Sequence, residues 1–167
     1  MRQLAQMTAM LVAALSAGGV ARAANPAHSA TVVGPSNAQL ADGAAALEAG
    51  RIEDGIRLTL AGLNQPAPSQ DRAAGHSNLC AGYAMLKQWD EALHHCNAAL
   101  EIDGSNWRGF NNRAAVYVGK GEYELAMNDL RAGLEIAPNS RILLESLRIV
   151  QQNKRILGAR SRSSVRP

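Results

Sequence analysis

The sequence lacks the local patterns that mark the common catalytic sites. It contains no nucleophile elbow, no phosphate-binding glycine loop and no His-Glu-x-x-His zinc motif. Six of its 14 acids stand at the starts of predicted return helices, where they complement the helix dipole: Glu53-Asp54, Asp90-Glu91, and Glu122 with Glu124. We therefore expect a protein that is not an enzyme, and we assign it no catalytic residue and no cofactor.

The chain also lacks an apolar run long enough to make a permanent membrane span. The run from Met7 to Val20 is interrupted by polar residues and glycines, and it is shorter than the roughly 20 residues that a span needs. It follows a cation at Arg2 and precedes Ala21-Arg22-Ala23, which is the pattern of a cleaved secretory signal over residues 1–23. We expect an exported protein that resides in a bacterial periplasm.

Positive charge is scarce in the body of the chain. Of 17 Lys and Arg, two lie in the expected signal and five in residues 154–167, so that 10 bases face 14 acids elsewhere. A nucleic-acid-binding surface needs cations on the folded body, so we exclude that class. Residues 154–167 are expected to form a basic disordered tail. It is either a contact for an anionic membrane or an acidic partner, or a solvated end.

Residues 24–36 are small and polar and are broken by Pro26, Gly34 and Pro35. Such a segment predicts a flexible linker. The folded domain is therefore expected over residues 37–153.

The clearest structural pattern is the stretch from Trp107 to Ser140. Phe110, Ala114 and Tyr117 are spaced by four and three residues, as one face of a helix requires. Glycines at 119 and 121 predict a turn, and a second apolar face follows from Tyr123 to Leu134. Pro138 then ends the helix. The stretch predicts a helical hairpin.

The same pattern recurs 34 residues earlier, where Tyr83, Ala92 and Leu100 stand in register with Tyr117, Ala126 and Leu134. A helical hairpin of this period resembles the tetratricopeptide repeat family. The places that the motif specifies are occupied by Tyr117, Gly121, Tyr123, Ala126 and Pro138.

The resemblance implies an all-α fold, a right-handed superhelical stack of about three hairpins plus a C-terminal capping helix. The repeats are expected at about 36–69, 73–106 and 107–140, and the capping helix at 140–153. Ser36 and Ser140 are candidate N-caps. The link from Asn64 to Arg72 is about three residues longer than a strict repeat allows, so we expect the first hairpin to be displaced or loosely docked.

In tetratricopeptide proteins the first helices of successive repeats line a concave groove that holds peptides. The resemblance puts Asn78, Arg108, Asn111 and Asn112 in this groove, where amides bond a peptide backbone and arginine a carboxylate. Leu40 and Ala44 stand where a full terminal-carboxylate clamp has a cation and an amide, so that clamp is absent. The expected function is therefore non-catalytic binding of a peptide segment or helix of an envelope protein. The alternative is that these side chains are solvated polar residues.

The two cysteines suggest a second function. Cys80 and Cys96 each lie about eight residues from a turn centre near Gln88, so an antiparallel hairpin brings them face to face. They form either a disulfide, as an oxidising compartment allows, or two buried packing residues. With His76 nearby, the alternative function is a redox or metal-handling periplasmic protein.

The simpler reading of the histidines involves no metal. It places His76 inside the second hairpin, at the position of Phe110 in the third, and His94 and His95 on the helix surface. We therefore assign no metal ligand.

Overall fold

The computed structural model of the protein describes residues 37–163, with side chains described through Ile156. The expected signal and the linker lie outside these residues. The described part of the chain is entirely helical apart from its connections, which confirms the all-α prediction. Its helices are α1 (Ala38–Glu48), α2 (Ile52–Leu63), α3 (Ser69–Met85), α4 (Trp89–Ile102), α5 (Trp107–Lys120), α6 (Tyr123–Ile136) and α7 (Arg141–Ser163).

The helices form three antiparallel hairpins, α1 with α2, α3 with α4, and α5 with α6. Each hairpin packs on the next element along the chain, through α2 and α3, α4 and α5, and α6 and α7. The first helices also contact one another, α1 with α3 and α3 with α5, and we call these three helices the inner layer. The predicted stack of three hairpins closed by a further helix is thus confirmed.

Glycines at the same repeat position let consecutive hairpins approach closely. A Cβ atom on Gly75 would lie 2.8 Å from Cδ2 of Leu63, and one on Gly109 would lie 2.9 Å from Cδ2 of Leu100. Both leucines belong to the second helix of the preceding hairpin, and the two glycines are one 34-residue repeat apart. The first hairpin is therefore packed on the second as the second is on the third, and the expectation of loose docking is wrong.

The longer link is absorbed because α3 begins earlier than expected. It begins at Ser69 rather than at residue 73, and the Arg72 N–H donates to the Pro68 carbonyl at 3.0 Å. Proline cannot continue a helix but can directly precede one. Only residues 64–68 remain as the connection between α2 and α3.

The N-cap of α1 is Asn37, and Ser36 lies outside the described residues. The Asn37 Oδ1 accepts from the Leu40 N–H at 3.2 Å, and its Nδ2 donates to the Gly62 carbonyl at 2.7 Å. One buried side chain therefore starts α1 and joins it to α2.

The closing helix α7 starts where the sequence predicted. The Ser140 Oγ accepts from the Leu143 N–H at 3.4 Å. Leu143 and Val150 are buried with the apolar residues of the third hairpin. Their burial covers the side of that hairpin that has no further repeat against it.

The end of α7 differs from the prediction. The helix continues through Ser163, so a helix end at Asn153 and disorder from Lys154 onward are wrong for these residues. The segment contains several good helix formers and no proline before residue 167, and Lys154 forms an ion pair with Glu124 of α6. Residues 164–167 lie outside the described part, and a contact of the basic segment with a membrane or an acidic partner stays a prediction. Within residues 37–163 no helix has the length and apolarity needed to cross a bilayer.

Every hairpin turn contains one residue in the left-handed backbone region. Gly50 has φ +75° and Gly121 has φ +82°, whereas the second hairpin has Lys87 with φ +60°. Glycine adopts this region readily, but a Cβ atom makes it unfavourable. The second turn therefore carries backbone strain that the other two turns lack.

We predict that Lys87→Gly raises the free energy of unfolding by about 0.5–1 kcal/mol, because it removes the Cβ from a left-handed position. Urea unfolding followed by circular dichroism measures the effect. Lys87→Ala is the control, since it shortens the side chain and keeps the Cβ. An equal gain in the alanine variant would show that the side chain, and not the backbone, is responsible.

Candidate functional site

The second and third hairpins are joined across the inner layer by one asparagine. The Asn112 Nδ2 of α5 donates to the Ser77 carbonyl at 2.9 Å and to the Ser77 Oγ at 3.0 Å, both on α3. Asn112 is only 4% exposed, so these bonds lie out of water. This side of α5 therefore faces α3 and has a fixed position relative to it.

Two buried acceptors on this part of α5 have no hydrogen-bond partner in the described part of the chain. Among the described residues no donor reaches the Oδ1 atoms of Asn111 and Asn112. Asn111 is only 1% exposed. A buried polar atom without a hydrogen bond costs about 1–3 kcal/mol, and such atoms are rare in folded proteins. Both oxygens are therefore acceptors that the described part of the fold leaves unsatisfied.

Arg108 is a cation that lies one helical turn before Asn112. It is half-buried, and its Cζ lies 4.5 Å from the centroid of the Trp107 ring. Burial lowers the pKa of the Arg108 guanidinium. Within the described part of the chain no carboxylate forms an ion pair with it. A partly desolvated guanidinium favours the approach of an anion.

The next cation of α5 has a different role. Arg113 Nε and Nη2 each donate to an oxygen of Asp129 at 2.8 Å, and Nη1 donates to the Asn97 Oδ1 at 2.8 Å. The bonds to Asp129 raise the pKa of Arg113. These hydrogen bonds join α5 to α6 and to α4, so Arg113 has a structural role.

The other candidate residues form no hydrogen bond with this pair of asparagines in the described part of the chain. Asn78 is half-buried on α3, and within residues 37–156 no hydrogen bond joins it to the other candidates. In the first hairpin Leu40 is buried and Ala44 is half-buried. Both side chains are apolar, so neither supplies a polar group. The polar side chains identified for ligand binding therefore belong to the second and third hairpins, and their binding role stays a prediction.

Cys80 and Cys96 form a disulfide in the structure, with their Cα atoms 5.1 Å apart. Both are 0% exposed and pack with Ala84, Ala92 and Val116 in one apolar cluster. A disulfide that no reductant can reach is a structural crosslink between α3 and α4 rather than a redox centre.

His76 lies between the helices of the second hairpin and His94 is exposed, as predicted, but His95 differs from the prediction. His95 is half-buried rather than on the surface, and its Nδ1 lies 3.1 Å from the Nδ1 of His76. The cysteines were expected to face each other because they are equally distant from the turn centre. By the same criterion His76 would face Leu100, so equal distance from the turn does not predict the contact between His76 and His95. In the described region no three His, Cys, Asp or Glu side chains are arranged to hold a metal ion.

Comparison with known sequences finds similarity over about half of the chain. No protein-family model matches it. It is 32% identical over 84 residues to the peptidyl-prolyl cis-trans isomerase FKBP4 of Homo sapiens, covering 50% of this chain and 18% of that protein. It is 35% identical over 81 residues to the Hsp70-Hsp90 organizing protein of Triticum aestivum, covering 47% and 14%. The chain thus spans less than a fifth of the length of these relatives.

Comparison with solved structures identifies the fold. The first TPR of Spaghetti (RPAP3), bound to the HSP90 peptide SRMEEVD, matches with a TM-score of 0.62 at 22% identity, over 70% of this chain and 92% of that chain. The Hsp90 co-chaperone Cns1 of Saccharomyces cerevisiae matches with a TM-score of 0.70 at 19% identity, over 76% and 41%. The described residues therefore have the helical-hairpin stack of a tetratricopeptide repeat domain.

The disulfide joins two residues that are 16 positions apart in the sequence. We predict that the double variant Cys80→Ala/Cys96→Ala loses about 3 kcal/mol of unfolding free energy, because its unfolded chain is no longer constrained by this closed loop. Denaturant unfolding of the variant and of the unreduced wild type measures the loss. Wild-type protein in dithiothreitol without denaturant is the control and should keep its disulfide, since both sulfurs are buried. Rapid reduction of the native protein would contradict the structural role.

Proposed function

We propose that this chain is a protein-interaction module that binds an extended peptide segment of a partner across the inner layer of its second and third hairpins. The observation that carries the proposal is the pair of buried Oδ1 atoms of Asn111 and Asn112, which have no hydrogen-bond partner among residues 37–156. An extended peptide supplies the kind of backbone N–H donor that these two acceptors lack in the described structure.

The partner's chemistry follows from the charge of the site. Arg108 is half-buried, carries no ion pair within the described residues and lies one turn from Asn112. Its guanidinium can bond a carboxylate in a fork, and such charge-assisted bonds are about twice as strong as neutral ones. The bound segment is therefore expected to carry Asp or Glu, or a terminal carboxylate, at the third-hairpin end.

The comparisons support peptide binding in general terms. Two solved TPR domains of RPAP3 are described with bound peptides, SRMEEVD from HSP90 and SGPTIEEVD from HSP70, and both peptides are acidic. This chain has Leu40 and Ala44 in its first hairpin, and they offer no charge to a second carboxylate. We therefore propose one anchored acid, followed by residues of low charge toward the first hairpin.

The test is selection of a randomised heptapeptide library on the immobilised full chain. Selected peptides should be enriched in Asp and Glu. Arg108→Gln should weaken the best peptide about 10- to 100-fold in Kd, the equivalent of about 1.5–3 kcal/mol for a hydrogen bond to a charged group. Fluorescence anisotropy with the labelled peptide measures this change.

Arg131→Gln is the matched control, because Arg131 is exposed on α6 and bonds only Asn128 of the same helix in the described structure. It should bind like the wild type. Selection without acidic enrichment, or equal losses in the two arginine variants, would contradict the proposed site.

Export is a second part of the proposal and rests on residues 1–23 alone. We predict that the chain, produced with this segment in a bacterium, is recovered from the periplasm with Ala24 as its first residue. Edman sequencing of the purified protein checks the cleavage. Replacing Leu11 and Val12 by Asp should block processing, since the apolar run is what the export machinery recognises. A protein that retains Met1 and remains in the cytoplasm would refute export.

A further inference from the structure

The second hairpin contains a cluster of imidazole rings that the proposed peptide site does not use. The Nδ1 atoms of His76 and His95 are 3.1 Å apart, and the ring centroids are separated by 5.3 Å. Tyr83 stacks on His95 at 5.4 Å, and His94 meets His95 edge-on at 5.0 Å. The pair joins α3 to α4 through groups that ordinarily titrate near neutral pH.

The geometry of this pair depends on how many protons it holds. Two Nδ1 atoms at hydrogen-bond distance need one proton between them, because one nitrogen donates and the other accepts through its lone pair. When both rings are protonated, both Nδ1 atoms carry hydrogen and both rings carry charge. Neither nitrogen can then accept, and the contact between His76 and His95 is lost.

The surroundings of the pair disfavour protonation. Burial, and then the charges of His76 and His94, lower the pKa of His95 to about 4. Burial also lowers the pKa of His76, with smaller contributions from Arg72 and His94. Arg72 lies one turn before His76 on α3, while the exposed carboxylate of Glu91 lies one turn before His95 on α4.

The direction of the pH dependence follows from these shifts. A histidine in an opened or unfolded chain titrates near 6.5, above the value that the closed contact allows. The contact is therefore fully stabilising above about pH 6.5. As the pH falls from there toward 4, open states bind protons that the closed state excludes, and the contact loses stability.

The disulfide limits where the hairpin can open. Cys80 follows His76 by one helical turn, and Cys96 follows His95 directly in the sequence. The covalent bond holds α3 and α4 together at this level. His95 lies on the turn side of Cys96, so separation of the pair is confined to movement of the α3 segment that precedes Cys80 and contains His76.

We propose that the contact between His76 and His95 is a pH-sensitive switch in the second hairpin, closed when the two rings share a proton and open when both are protonated. Ser77 follows His76 directly and accepts both hydrogen bonds of the Asn112 amide. Opening of the pair therefore displaces the joint between α3 and α5. The proposal holds whether or not the inner layer binds a peptide.

Nuclear magnetic resonance of the full chain tests the switch. The Cε1–H signals of His76 and His95 are followed from pH 7.5 to pH 4, together with the backbone amide signals of Ser77 and Asn112. We expect both rings to titrate below 6.5 in a coupled manner, and the Ser77 amide to shift with them. Independent titration of both rings near 6.5, or an unmoved Ser77 amide, overturns the proposal.

A matched pair of variants gives a second readout. His95→Phe keeps an aromatic ring against Tyr83 and removes the titrating nitrogens, whereas His94→Phe leaves the pair of Nδ1 atoms in place. Between pH 7.5 and 4.5 the folding equilibrium constant of the wild type should fall about tenfold more than that of His95→Phe, a value reduced for the partial exposure of the ring. His94→Phe should keep most of the wild-type dependence. Equal pH dependence of the wild type and His95→Phe overturns the switch, and the wild-type resonances decide the question if this variant does not fold.

Discussion

No helix of this protein can bury its apolar face alone, so each depends on a neighbour along the stack. The dependence ends at α7. Of the residues that follow Phe110, Ala114 and Tyr117 by 34 positions, two are polar and exposed, Arg148 and Gln151. In the third hairpin, Phe110, Ala114 and Tyr117 form an apolar face of the first helix. The corresponding face of α7 is largely exposed to solvent. The closing helix therefore covers the third hairpin without requiring a fourth.

The same stacking places the polar groups of the candidate site. Because first helices pack against first helices, Asn112 reaches Ser77 and is held out of water. A leucine at position 111 would avoid a buried acceptor without a donor, so stability alone does not account for asparagine there. The two arginines of α5 differ: Arg113 donates three hydrogen bonds to Asp129 and Asn97, whereas the guanidinium of Arg108 lies over the Trp107 ring. One arginine is bound within the fold, and the other forms no ion pair in the described part of the chain.

Much of the fold was predictable because its signals are local. Apolar spacing identified the hairpins, and glycine turns, Pro138 and the Ser140 cap placed their ends. The errors arose where tertiary packing overrides a local signal. A link longer than a strict repeat allows suggested a loose first hairpin, yet the Leu63 side chain packs against Gly75 and fixes that hairpin on the second. A polar composition suggested disorder from Lys154 onward, yet a helix anchored by Val150 continues into good helix formers.

The sequence by itself determined the period of the repeat, the turn positions and the facing of Cys80 and Cys96, because these depend on spacing along one helix or about one turn. Only the tertiary structure decided which polar atoms are left without partners and that His76 meets His95 rather than Leu100. Those outcomes depend on the crossing of α3 with α4 and of α3 with α5. If either pair of helices packed one residue out of register, different side chains would meet and different polar atoms would be hydrogen-bonded. No local sequence pattern specifies that register.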